Sequence, residues 1–141
     1  MLSRSYGDIA VGLRWESRSR TITEADVVNF SGLSGDWYPL HTDSEYAAKT
    51  IFGQRIAHGM LVLSVSTGLL KIAPGSVEAF YGMDEVRFLK PVFFGDTIHV
   101  DLQALEKTDR PKGGGILTLL CEVKNQKGDT VATAKMKMLM K

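Results

Sequence analysis

The run from His58 to Ile72, HGMLVLSVSTGLLKI, is apolar on almost every side of the helix it would form. A helix without a polar face has to be enclosed by the rest of the chain. Its small residues, Gly59, Ser64, Ser66, Thr67 and Gly68, let other backbone approach closely, and Pro74-Gly75 ends it. The segments that follow are suited to enclosing it. Val77–Lys90, Thr97–Leu105, Ile116–Lys124 and Thr130–Met140 read as strands, with period-two alternation clear at Ile98, Val100, Leu102 and Ala104 and again at Ala132, Ala134, Met136, Met138 and Met140. Gly82 marks a bulge in the first of them, and Pro91, Gly95-Asp96, Arg110–Gly115 and Asn125–Asp129 mark the bends and turns. The expectation is an α+β chain in which one antiparallel sheet curls around one buried helix. Such a sheet leaves a strand edge and apolar surface open, which a homodimer or larger assembly would cover.

The chain is 141 residues long, one domain's worth, so residues 1–141 are read as a single domain. Lysine and arginine total 17 against 16 acidic residues, and this balance gives no field for holding nucleic acid or an acidic membrane surface. Met1–Val11 carries Asp8 and no apolar stretch of signal-peptide length, and Met60–Leu70 is broken by polar and small residues, so the expected location is cytoplasmic. The single cysteine, Cys121, excludes a disulfide within the chain and falls in phase with Leu117, Leu119 and Val123 as a core residue.

In the N-terminal half, Val11–Thr21 alternates weakly and reads as an edge strand. Thr23 is placed to cap a helix over Glu24–Leu33, with Asp26 as its capping-box partner and Ile22 and Val27 at staple positions. Thr42-Asp43-Ser44-Glu45 offers a second capping box for a short helix over Ser44–Lys49, and Ile51–Ala57 reads as a connection crossing the surface.

Between the two helices lies Ser34-Gly35-Asp36-Trp37-Tyr38-Pro39-Leu40-His41. Gly35 frees the backbone while Pro39 fixes φ and lacks an N–H, so the segment is expected to be a loop. A carboxylate and an imidazole five residues apart are the minimal equipment for adding water across a polarised double bond or removing it. The plainer alternative is that Asp36 closes an Asx turn and His41 only precedes a short helix.

Ser31–Ala48, SGLSGDWYPLHTDSEYAA, and Ile56–Leu70, IAHGMLVLSVSTGLL, resemble the active-site region of the MaoC-like dehydratases, the R-specific enoyl-CoA hydratase family. The family pattern is Gly-Asp, any residue, Asn-Pro, an aliphatic residue, His, five residues, then Ala. Gly35, Asp36, Pro39, Leu40, His41 and Ala47 match it, while Tyr38 stands where the family has Asn and Thr67 stands where a supporting Ser is found. Arg87–Ile98, RFLKPVFFGDTI, is also similar to the family's strand-and-bend region. The resemblance implies a hot-dog fold over nearly the whole chain, a thioester tunnel near a subunit interface, and catalysis by Asp36 and His41. It further implies an oxyanion role for the Gly59 N–H at the start of the buried helix, with Thr67 and Tyr38 supporting the site. The substrate implied is a trans-2-enoyl or R-3-hydroxyacyl thioester of CoA or acyl carrier protein, as in fatty acid metabolism, with no cofactor; the residues themselves, with no further His or Cys cluster, give no expectation of a metal site. Arg55, Arg87 and Lys90 are the candidate contacts for CoA phosphates.

Two other readings follow from the same residues. A thioesterase of this fold commonly carries a catalytic acid on the buried helix, and His58–Ile72 has no Asp or Glu. A protein that binds acyl thioesters without turning them over, or a regulatory partner, is supported by Tyr38 alone, which would crowd the space between Asp36 and His41. His58 is expected to cap or pack at the helix start, and His99 to lie on the wet face of a strand.

Overall fold

A computed structural model describes residues 1–141, with six strands in one antiparallel sheet. The long strands are β3 (Val77–Phe88), β4 (Thr97–Asp109), β5 (Gly115–Lys124) and β6 (Thr130–Met140). Short strands β1 (Arg14–Glu16) and β2 (Arg20–Thr21) both pair with β4, and the spatial order is β1, β4, β5, β6, β3. The expected edge strand over Val11–Thr21 is thus two pieces. They part at Ser17, whose N–H donates to the Val100 carbonyl at 2.9 Å while its hydroxyl accepts from the Val100 N–H at 2.8 Å.

The alternating residues of the sequence form the inner face. Ile98, Val100 and Leu102 of β4, Leu117, Leu119, Cys121 and Val123 of β5, and Met136, Met138 and Met140 of β6 are all buried. Burial pushes the Cys121 thiol up to about 12, which leaves it an inert core side chain. This face packs on helix α4 (Gly59–Leu69), whose Leu61, Val62, Val65 and Leu69 belong to the same core. Leu2, Tyr6 and Ile9 add to that core from a segment whose sequence carries no period.

Helix α4 is shorter than the apolar run that announces it. Leu70 is still buried but takes extended backbone, φ −69° and ψ 125°, so the pattern continues one residue past the helix. Nor is the helix enclosed on all sides, because Met60, Ser64 and Gly68, spaced four apart on one row, face outward. Its hydroxyls are satisfied inside the helix. Ser66 donates to the Val62 carbonyl at 2.7 Å and Ser64 to the Met60 carbonyl at 2.8 Å.

Three helices precede α4. Helix α1 (Glu24–Ser34) begins with the expected capping box: Thr23 Oγ1 accepts from the Asp26 N–H at 3.2 Å and the Asp26 carboxylate accepts from the Thr23 N–H at 2.9 Å. A single turn, α2 (Pro39–Thr42), and α3 (Ser44–Ala48) follow. The second capping box is not formed. Asp43 caps α3 itself, its Oδ1 accepting from the N–H groups of Glu45 and Tyr46, and Thr42 closes α2 instead.

β3 is the far edge of the sheet, and its register against β6 breaks at three places, between Val77 and Ala79, Phe80 and Gly82, and Asp84 and Arg87. Gly82 stands at the second break, as its composition suggests. At the third, Glu85 takes φ 51°, a left-handed conformation uncommon for a residue with a side chain. Phe80, Tyr81 and Phe88 on this strand are exposed, Tyr81 to 61%.

Candidate active site

The site is built where the end of α1, the turn α2 and the start of α4 meet. Gly35 ends α1 in the left-handed region at φ 77°, which only glycine adopts without strain, and its N–H returns to the Ser31 carbonyl at 2.8 Å. Asp36 comes next. Its Oδ1 accepts from the Tyr38 N–H at 3.2 Å in the Asx turn that composition allows. Pro39 then opens α2 at its first position, where a missing N–H costs nothing, so His41 sits on a helical turn rather than in a loop.

One distant segment, Ile56–His58, fixes the His41 ring. Its Nδ1 donates to the Ile56 carbonyl at 2.7 Å, and because that oxygen can only accept, Nε2 is left as the bare acceptor. Burial, the largest cause, holds the His41 pKa below the ordinary imidazole value of 6.5. The neighbouring His58 acts in the same direction, while the Ile56 bond and Asp36 act against it. The Ile56 N–H in turn donates to the Leu40 carbonyl and the Ala57 N–H to the Val92 carbonyl, so Ile56 and Ala57 are buried. Only the first part of the expected surface connection is open, with Ile51 95% exposed.

His58 is the residue that sequence reasoning placed too far from the chemistry. It is 2% exposed, and its ring stacks on that of His41 at 3.9 Å between centroids and 29° between planes. Its Nε2 lies 3.0 Å from the Asp36 backbone carbonyl and 3.3 Å from Ser31 Oγ. The Phe30 ring also packs on it, tilted by 60° at 4.9 Å between centroids. The available signal was a histidine inside an otherwise apolar run, but its partner is 22 residues away in sequence.

Asp36, His41, His58 and Gly59 share one cavity of about 480 Å³, and ten of its sixteen lining residues are hydrophobic, among them Phe52, Val62, Phe88 and Val92. Gly59 is the first residue of α4, so its N–H has no partner within the helix. The ring of Phe88 lies against it, and a Cβ at this position would stand 2.7 Å from that ring.

Tyr38 and Thr67 are not among the lining residues. The Tyr38 ring meets that of His41 in a T-shaped contact at 6.2 Å between centroids, is 52% exposed, and places its hydroxyl 3.1 Å from that of Tyr46. Thr67 lies about 12 Å along α4 from Gly59, at 1.5 Å per residue, and its hydroxyl donates to the Ser64 carbonyl at 2.8 Å. Of the three proposed phosphate contacts, only Lys90 lines the cavity, where it also pairs with Asp129 at 3.1 Å. Arg55 pairs with Glu24 at 2.8 Å and covers the Phe94 ring, and Arg87 donates to its neighbour's carbonyl.

Asp36, His41 and His58 bring potential metal-ligating atoms within 4.8 Å of one another. The donor set fits a metal poorly. Near-parallel stacked imidazoles direct their in-plane lone pairs side by side rather than to one point, and one nitrogen of each ring already faces a carbonyl oxygen.

A curled antiparallel sheet on one central helix, with the site at that helix's N-terminus, is the hot-dog fold. The MaoC-like domain family matches residues 11–120, and the chain belongs to it. A monoamine oxidase regulatory protein from Archaeoglobus fulgidus is similar in structure, with a TM-score of 0.92 and 43% identity over 99% of this chain and 97% of that one. An (R)-specific enoyl-CoA hydratase from Aeromonas caviae is 38% identical over 83% of this chain and 85% of its own length. Protein MaoC of Klebsiella aerogenes is 49% identical over 63% of this chain, which spans only 27% of that longer protein. No helix here is long and apolar enough to cross a membrane.

Proposed function

We propose that this chain catalyses the reversible hydration of a trans-2-enoyl thioester to the R-3-hydroxyacyl thioester, with Asp36 and His41 as the proton-transferring pair. The observation that supports this reading is that the carboxylate, the imidazole and the open N-terminus of α4 line one largely apolar cavity. The acyl chain occupies the apolar lining, and the thioester oxygen faces the Gly59 N–H, where a helix N-terminus stabilises negative charge. Water held between Asp36 and the bare Nε2 of His41 gives one proton to the pair as its oxygen bonds to C3. The double-bond electrons move to the thioester oxygen as an enolate. The enolate collapses by taking at C2 the proton the pair received, which restores the pair, and the reverse sequence expels water.

The substrate is an acyl thioester of CoA or acyl carrier protein, and no cofactor takes part. A homodimer covers the exposed β3 edge and the outward Met60, and the protein works in the cytoplasm in fatty acid metabolism. The support for a non-catalytic binding protein was crowding by Tyr38, and Tyr38 is outside the cavity. The test is loss of the enoyl absorbance across a panel of trans-2-enoyl-CoA lengths, with free thiol followed in parallel. Hydration without thiol release is the expected result, while thiol release with no hydration makes the protein a thioesterase and sinks the reading.

A further inference from the structure

His58 is the N-cap residue of α4, yet its side chain makes no capping bond. Side chains that favour this position, Ser, Thr, Asp and Asn, cap by accepting from the first-turn N–H groups. The His58 imidazole is turned away from its own helix and almost wholly enclosed. Packing does not account for it, because its Nδ1 is buried with no hydrogen-bond partner, and an apolar ring of similar size would escape that cost. What the imidazole adds is the bond from Nε2. The acceptor there is the Asp36 carbonyl, so Nε2 carries the proton, and the Ser31 hydroxyl lies 3.3 Å from the same nitrogen. The ring plane is stacked on His41. Three pieces of the site, the backbone of Asp36, the ring of His41 and the residue before Gly59, therefore meet in one side chain.

We propose that His58 is a positioning residue, whose Nε2–H ties the Asp36 backbone to the first turn of α4 so that the acid and the oxyanion donor keep one geometry. This rests on the hydratase reading for its effect on rate, but the tie itself is a statement about the resting protein. Donor and ring are separable. His58→Gln keeps an N–H near the position of Nε2 and loses the stack, whereas His58→Phe keeps a stacked ring and loses the donor.

In the full chain, His58→Phe is expected to lower kcat for crotonyl-CoA hydration about 10-fold to 100-fold, the effect of misplacing reacting groups by around an ångström, with KM nearly unchanged. His58→Gln is expected to recover most of that loss even though it is the less stable of the two variants. The amide resonance of Trp37, which belongs to the peptide whose carbonyl accepts from His58, is expected to move in His58→Phe and return in His58→Gln. A residue that only fills space gives no rescue by Gln, so equal loss in both variants overturns the proposal, as does a wild-type kcat in His58→Phe. Should His58→Phe fail to fold, ring-nitrogen spectra of the wild-type protein decide the matter. A proton on Nε2 is expected, and a proton on Nδ1 instead leaves nothing to donate to Asp36 and ends the proposal. A wild-type protein that hydrates no enoyl thioester overturns the hydratase reading alone, since the Trp37 and ring-nitrogen results still decide the tie.

Discussion

His41 and Ile56 are 15 residues apart in sequence and joined by a 2.7 Å hydrogen bond from the imidazole Nδ1 to the backbone carbonyl. That bond fixes the tautomer of the neutral ring, the one in which Nε2 serves as an acceptor. Burial lowers its pKa, so the neutral ring persists to pH values below the ordinary 6.5. The acid limb of kcat/KM for enoyl-CoA hydration is therefore expected to have its midpoint below 6.5, and a limb centred above 6.5 contradicts the environment described.

The same shift acts on stability. The unfolded chain binds the proton near 6.5 and the folded chain only at lower pH, so the contribution is complete above 6.5 and lost as pH falls through the window below it. Melting temperature measured against pH is expected to drop less steeply on the acid side in His41→Gln than in the wild type. Parallel curves for the two proteins would remove His41 from the account.

Asp36→Asn keeps an Oδ1 to accept from the Tyr38 N–H, so the turn into α2 and the fold are expected to survive. Hydration is expected to fall about 10² to 10⁴-fold, the usual worth of a positioned acid or base. His41→Ala loses rate similarly, and the double variant costs much less than the two losses combined if the residues act on one water. Steady-state kinetics of the three variants read this directly, and independent losses that multiply break the shared-water mechanism.

Gly59 and Phe88 give a steric prediction. A methyl group at position 59 meets the Phe88 ring at 2.7 Å, and when that half-exposed ring swings away it reshapes the cavity wall it forms. Gly59→Ala is expected to slow turnover. Adding Phe88→Leu is expected to restore part of it if the collision is the cause. No recovery in the double variant locates the damage in the Gly59 N–H itself.

Tyr38 replaces the family Asn without entering the cavity. Its hydroxyl faces Tyr46 and its ring edge faces His41, so Tyr38→Phe is expected to leave both kcat and the chain-length profile unchanged. Tyr38→Asn removes the edge that borders His41, and a modest fall in kcat with the same chain-length profile is expected. Admission of longer or bulkier enoyl-CoAs by Tyr38→Asn would falsify this placement.

The inner faces of β4, β5 and β6 are legible from alternation because every second residue is committed to the same core, and the α1 capping box is legible because its two halves are three residues apart. Asp36 and His41 stand out for a similar reason, as a short spacing in a segment broken by Gly35 and Pro39. His58 does not, since what gives it meaning is a carbonyl delivered by a different element. The turn α2 is too short for any hydrophobic period, although Pro39 at its first position is a start signal in retrospect. Arg55 illustrates a further limit. A lone arginine between Gln54 and Ile56 gives no hint of Glu24, 31 residues earlier, or of the Phe94 face beneath it.

The three register breaks of β3 bear on how this protein behaves in crowded solution. A straight, flat edge offers an unbroken row of N–H and C=O groups onto which strand after strand can be laid, which is how soluble chains become fibres. Here the row is interrupted every few residues, and at Glu85 the backbone turns through a conformation that no extended neighbour can follow. A chain arriving at this edge finds matching groups over only a short length, so the edge can be apolar and exposed while propagation along it stays blocked.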